Sequence, residues 1–387
     1  MYSDESKILK TVEEISRAII SEDAQSTDEL AHWPERGIRS LQKEGLAGLT
    51  IPLEYGGLGQ GANTLAKACE TISQYCSSTS ICYGMHAVGS AVIASKPTTY
   101  QQEKYLTPIC EGKHLTSLAL NEVGSGSQFY LPQTRMQYHT EADYNINGVK
   151  SSVINGSRAD SYIVSAVAEG SDTPGEQFNC FMVDSDAIAL RWGEKWNGIG
   201  MRGNHTRDLL LENVKISGMN RLGKFGDQIW YVFNVITPYF LSAIAGTFLG
   251  IAYTALKEVT NHIKSREFSF NGRTLASSSV IQYQLGCLWA KYSRVRALVY
   301  YATECYDTKQ DEALIALFSA KAEVADSVVE IVNDSMTLCG GHACREGSRL
   351  DRLLRDARAL HVMQPTTDLL RIWTGRSLLD QPLLADT

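Results

Sequence analysis

Three stretches carry residues whose types and spacing suit chemistry. Toward the C-terminus, Thr337 is followed by Gly340-Gly341, then Arg355-Asp356-Ala357, then Gln364-Pro365-Thr366. Paired glycines leave backbone amides open to a phosphate or a planar ring, because no side chain intervenes. Leu118 to Ser127 (LALNEVGSGS) ends in Gly124-Ser125-Gly126-Ser127, which offers amides to a diphosphate, with Asn121 upstream able to donate to a ring oxygen. Alone, such a Gly/Ser run is more often an ordinary turn. Trp196 to Arg207 (WNGIGMRGNHTR) sets Arg202 and Arg207 to anchor a phosphate or carboxylate, or equally to pack a surface loop.

Composition bounds the scaffold that must position these stretches. At 387 residues the chain is long enough for two or three substructures around a large core. Hydrophobic residues make up 44% and charged residues 20%, the balance of an ordinary globular protein. A net charge of -7 argues against bulk nucleic-acid binding, which needs clustered cations. The 9 cysteines show neither a CxxC pair nor Cys/His zinc spacing, so no metal site is expected. Their odd number and the polar first residues, MYSDESK, predict a protein of the reducing cytoplasm with mostly buried free thiols. Between Asp227 and Lys257 no charged residue occurs, yet Asn234, Thr237, Pro238, Ser242, Gly246 and Gly250 interrupt the run. That pattern predicts a helix buried on all sides, not a membrane span.

Periodicity then divides the chain. From Lys7 to about Gly112 the pattern is helical, with Ile8, Val12, Ile15 and Ile19 on one face and a Gly/Pro-punctuated loop from Ile51 to Gly61. From Leu115 to about Leu222 the period shortens. Asp143 to Lys150 predicts a strand running into a hairpin turn at Asn147-Gly148, and Asn155-Gly156 gives a second turn. Further strands are expected over 160–166, 178–184, 188–192 and 208–216, a spacing that suits a small antiparallel barrel or sandwich. From Gln228 onward four long helical runs suit a four-helix bundle. The expected class is α+β: an N-terminal helical domain (1–113), a middle β domain (114–225) and a C-terminal helical bundle (226–387).

In this order the blocks resemble the acyl-CoA dehydrogenase family over nearly the whole chain. Leu49 to Gly59 is similar to the family's LTIPEEYGGxG, Leu118 to Ser127 to its TEPxAGS, and Lys150 to Asp160 to its KxWITNGxxAD. Trp196 to Arg207 is similar to LGMRGxxTR, Arg266 onward to RxxFG, and the C-terminal run to GGxG, RDA and EGT. The resemblance implies FAD, and a homodimer or homotetramer in which one chain contacts its neighbour's cofactor. Asn121 stands for the family's Thr near the flavin ring, while Gly126 and Ser127 are kept, Ser127 at a phosphate. Ser152 replaces the Trp that shields one flavin face, and Ile154 the Thr whose hydroxyl bonds the ring. Arg266 and Gln282 match residues that reach the diphosphate of a neighbouring subunit. Gly340 and Gly341 complete that site, with Thr337 where a Gln is usual, and Thr366 keeps the Thr of EGT.

The main departure is Gln364, at the position of the family's catalytic Glu. Oxidising an acyl thioester at Cα–Cβ requires a base for the α-proton while hydride leaves Cβ, and a Gln amide has no basic lone pair of useful pKa. The alternative base position, on the first long helix of the C-terminal bundle, holds Phe240. The backbone N–H of Gln364 is left as a donor to the thioester carbonyl, as the resemblance implies. His361, His86, Glu122 and Glu346 are the remaining candidate bases, each with a packed or solvated role as its ordinary reading.

The resemblance therefore implies an FAD-dependent oxidoreductase acting on acyl-CoA or a carrier-protein acyl group, with a missing or displaced base. It also implies an electron-transfer flavoprotein or flavin reductase as redox partner. Two alternatives share the fold: a flavin-dependent monooxygenase, which needs no α-carbon base, and a catalytically silent homolog.

Overall fold

The computed structural model describes residues 4–126, 128–138, 143–170 and 178–384. Ser127, the expected phosphate contact, lies outside them. Helices come first: α1 (Glu5–Ile15), α2 (Ser21–Glu29), α3 (Glu35–Lys43), α4 (Ala62–Ser73) and α5 (Ser77–Ser95). Asp4 caps α1 by accepting from the Ser6 amide at 3.1 Å, and Ile8, Val12 and Ile15 form its buried face. Helix α5 is buried along nearly its whole length, which makes it the centre of the N-terminal part.

Seven strands follow: β1 (Thr116–Ala119), β2 (Arg135–Tyr138), β3 (Asp143–Val153), β4 (Ser161–Ala168), β5 (Phe178–Asp184), β6 (Leu190–Lys195) and β7 (Arg207–Ser217). They form one sheet in the order β1-β4-β2-β3-β7-β6, with β5 also on β4. Most pairs are antiparallel, but β4 runs parallel to both β1 and β2. Asn147-Gly148 is not the hairpin turn its dipeptide suggests. Strand β3 continues through it, because Asn147 pairs with Arg135 of β2, and on the other side β7 carries one extra residue, a bulge, opposite the step from Ile146 to Gly148. The Asn147 side chain also accepts from the Asn213 amide at 2.7 Å, which holds the bulge. Asn155-Gly156 is the expected turn, with Asn155 at φ 59. Its buried side chain accepts from Trp33 Nε1 at 2.9 Å and donates to the Cys82 carbonyl at 2.9 Å, pinning the turn to the N-terminal helices.

The C-terminal part contains α6 (Thr237–Ser265), α7 (Ser279–Asp307), α8 (Ala313–Cys339), α9 (Arg349–Ala357) and α10 (Thr367–Leu378). Helix α6 continues a helical stretch from Gln228, and the most apolar part of that stretch is 89% buried, as a core helix should be. It packs against α4 at close range. A Cβ on Gly246 would meet the Ala66 carbonyl oxygen at 2.2 Å, and one on Gly250 the Glu70 carbonyl oxygen at 2.4 Å. All 9 cysteines are free, and most are buried.

The Arg355-Asp356 pair joins helices to the loop before β7. Arg355 donates twice to the Asp28 carboxylate, at 3.0 and 2.5 Å, and to the Ile199 carbonyl at 2.8 Å. Asp356 is buried, accepting from the Met201 amide at 2.5 Å and from the Ser77 hydroxyl. A Cβ on Gly200 would lie 2.2 Å from the Arg355 carbonyl oxygen, so only glycine lets the loop come this near. Asp356→Ala should cost about 2–4 kcal/mol, because it strands a buried amide and a buried hydroxyl. Urea unfolding with unchanged slope is the check.

Candidate active site

The sheet, α6 and the segment before α10 enclose a cavity of about 250 Å³. The loop after β1 contributes Asn121, the end of β3 contributes Ser152, and the turn beyond it Ile154. Helix α6 adds Thr237 and Phe240, and the 359–366 segment adds Met363, Gln364 and Pro365. Of these, Asn121, Ser152, Ile154, Phe240 and Gln364 are predicted positions far apart in sequence, and they converge on one space.

Local structure explains the convergence. The Ser151 amide donates to the Asn121 carbonyl at 2.8 Å, so the loop after β1 lies along β3. Ser152 has φ 55 at an irregular step of the β3–β7 ladder, and its amide donates to Asp208 at 3.1 Å. Glu122 fixes the loop from beneath. It accepts from Lys150 Nζ at 2.5 Å, the Gln133 amide at 2.7 Å, the Thr134 amide at 3.1 Å and the Thr134 hydroxyl at 2.7 Å. Burial pushes its carboxyl up, but the Lys150 charge and these donors outweigh burial and hold it below the usual range. A carboxylate so fully engaged is a structural anchor, not a free base.

Gln364 follows the short helical turn Ala359–Val362 and joins Pro365 through a cis peptide bond. Its side-chain amide donates to the Gly126 carbonyl, bridging the helical segment to the loop after β1, while its Oε1 is buried without a partner among the described residues. Phe240 lines the same cavity from α6, so both positions where the resemblance places a base face one space. Among the described residues lining it, none is titratable.

The other candidate bases are elsewhere. His86 is buried, accepts from the Thr116 amide at Nδ1 (3.1 Å) and pairs Nε2 with the Ala47 carbonyl (3.1 Å). Burial pushes its pKa down to about 4, so it stays neutral at physiological pH. His361 is half-buried with Nδ1 3.8 Å from Asp326, and Glu346 is exposed in the loop before α9; neither lines the cavity. Nor do Arg202 and Arg207: Arg202 Nε donates to the Asp28 carbonyl at 2.9 Å.

A second predicted group stays apart. Arg266, Gln282, Thr337, Gly340 and Gly341 are exposed, and none touches the cavity. Gln282 Nε2 donates to the Ala276 carbonyl at 2.8 Å. Gly340, at φ 63, and Gly341 both have open space where a Cβ would stand. Thr366 serves first as a helix cap, its hydroxyl accepting from the Leu369 amide of α10 at 3.4 Å.

The residues fit a flavin in part. Gly126 has φ 53, and among the described residues nothing stands where its Cβ would be, so that side of its backbone is approachable. Gln364 Oε1 and Thr237 Oγ1, buried without partners among the described residues, could pair with the polar edge of a ring. Ser152 and Ile154 offer neither the aromatic shield nor the hydroxyl of the related signature.

Thr237 and Lys321 escaped the reading of the sequence. Lys321 is fully buried in α8, and its Nζ donates to the Pro365 carbonyl at 2.9 Å and the Met363 carbonyl at 3.3 Å. The available signal was a lysine set among Leu317, Val324 and Val328, on the apolar face of a helix.

Known proteins resemble this chain along most of its length. The acyl-CoA dehydrogenase N-terminal, middle and C-terminal domain families match residues 3–113, 117–214 and 242–379. A 3-(aryl)acrylate reductase of Clostridium sporogenes is 29% identical, over 96% of this chain and 97% of the relative. The butyryl-CoA dehydrogenase structure from Megasphaera elsdenii superposes with a TM-score of 0.91 at 23% identity, covering 97% of this chain and 98% of that one. The prolyl acyl carrier protein oxidase AnaB does so with a TM-score of 0.88 at 24% identity, covering 98% and 99%.

Proposed function

This chain belongs to the acyl-CoA dehydrogenase family, and we propose that it is an FAD-dependent oxidoreductase whose cavity takes an acyl thioester without supplying a carboxylate base. One observation carries the reading: Gln364 and Phe240 stand at both expected base positions in a single cavity, with no titratable group among the described residues that line it. The chain's own groups would bind and orient. The Gln364 backbone N–H would donate to the thioester carbonyl, and Met363, Phe240 and Ile154 would exclude water. FAD, when bound, would supply the two-electron chemistry. Asn121, Ser152 and Ile154 would lie toward its ring, and the Gly126 amide toward its diphosphate.

The exposed Arg266, Gln282, Thr337, Gly340 and Gly341 would serve the diphosphate of a neighbouring chain, which supports a homodimer or homotetramer. The acyl group would arrive on CoA or on a carrier protein; a butyryl-CoA dehydrogenase and a prolyl acyl carrier protein oxidase share this fold. An electron-transfer flavoprotein or a flavin reductase would exchange electrons with the enzyme, in a reducing cytoplasm that suits its free thiols.

Purified protein should carry a visible flavin absorbance, and acyl thioesters added without oxygen should perturb that band. Bleaching by the thioester alone supports dehydrogenation. Reduction only by NAD(P)H or a reductase, followed by oxygen-dependent product, would replace this reading with a monooxygenase. A protein that takes up no flavin would sink both.

A further inference from the structure

We propose that Lys321 is a positioning residue of this site: from α8 it tethers the chain on both sides of Gln364 and so sets where Gln364 stands in the cavity. The inference rests on reading that cavity as the active site. Its geometry is simple. The Lys321 side chain has no exposure to solvent, and its Nζ reaches the carbonyl before Gln364 (Met363, 3.3 Å) and the carbonyl after it (Pro365, 2.9 Å). A buried amine without acceptors is costly, so these two carbonyls and the lysine hold each other in place. Gln364 lies between them, with its side chain on the Gly126 carbonyl. The tether therefore fixes both the Gln364 amide and its side-chain bridge to the Gly126 carbonyl.

The charged and titratable groups acting on Lys321 come from two elements: Asp368 on α10 and His361 in the 359–362 turn. Asp368 favours the ammonium. Burial is the larger effect and brings Lys321 down to about 7. Below that pH an ammonium grips both carbonyls. Above it a neutral amine, which donates more weakly, replaces it. The tether should thus loosen as pH rises through the neutral range.

The test uses the full-length protein as Lys321→Met, which keeps the stem but removes the donors, and Lys321→Arg, which keeps charge and donors. In Lys321→Met, hydrogen exchange of amides in residues 362–367 should quicken about ten-fold, with the rest of the chain unchanged. Lys321→Arg should retain most of the protection. A non-reactive acyl-CoA thioether provides the second readout. Its affinity for the wild type should fall as pH rises across about 7, whereas Lys321→Met should bind about ten-fold more weakly with a flat profile. Unaltered exchange in a folded Lys321→Met, or unaltered affinity and pH profile, overturns the proposal. If exchange quickens but the wild type binds no thioether, the tether stands and the assignment of the cavity fails.

Discussion

Gln364→Glu should raise the rate of anaerobic flavin bleaching by an acyl thioester by about 10²–10⁴-fold, the usual worth of a positioned general base. The argument starts from the side chain's present bond. Gln364 donates its amide to the Gly126 carbonyl, and an ionised carboxylate cannot donate. It would be repelled by that carbonyl and turned toward the cavity, where the family places its base. The surroundings set the pH dependence. Among the described lining residues none carries charge, so the new carboxyl would be pushed above its usual range. Only the ionised form abstracts a proton, so the gained activity should appear as pH rises through that raised pKa and vanish below it. Single-turnover bleaching across pH decides the matter. A flavin-loaded variant no faster than the wild type at any pH would mean that the cavity does not present the α-carbon to position 364. Phe240→Glu offers an independent approach from α6 and should give a smaller gain, since a bulky ring must be replaced.

Much of the scaffold could be read from the chain, for physical reasons visible at particular residues. The uncharged run from Asp227 to Lys257 reads as a core helix, because its glycines fit the α4 backbone and its polar side chains are too many for lipid. Breakers set the strands, yet Asn147-Gly148 misled. A turn signal is local, whereas the β2–β3–β7 ladder is not, and continued pairing on both sides outweighs the dipeptide's preference. The grouping of Asn121, Ser152, Ile154 and Gln364 was expected from resemblance, and the structure gathers them. What the sequence could not reveal is depth. Glu122 was weighed as a base and is an anchor, Arg355 and Asp356 are joints, and Lys321 is buried against the backbone that carries Gln364. Each distinction depends on burial and on partners that lie far away in the chain.

The largest stability effect should come from Lys150→Met. Lys150 is fully buried, and removing its ammonium leaves Glu122 buried without its charged partner, a loss of about 3–5 kcal/mol. The pH dependence should also reverse sign. In the wild type, Glu122 is held below its ordinary range, so its contribution is complete above the unfolded value and is lost only as acid protonates the folded form. In the variant, burial dominates and the folded pKa rises above the unfolded value. The penalty is then greatest at neutral pH and is relieved as pH falls through the raised value. Melting temperature should therefore drop markedly at pH 7, then recover between pH 7 and pH 5, where the wild type shows no gain from this pair. Adding Glu122→Gln to Lys150→Met removes the stranded charge and should restore part of the loss at pH 7. The Gln oxygen can still accept from the Thr134 hydroxyl and the Thr134 amide, which share one carboxylate oxygen in the wild type, whereas the Gln133 amide loses its acceptor. A Lys150→Met protein with the wild-type melting temperature and pH profile would mean that the pair contributes shape rather than charge. Because Glu122 anchors the loop that bears Asn121 and Gly126, flavin retention should decline with stability in the single variant and return with it in the double.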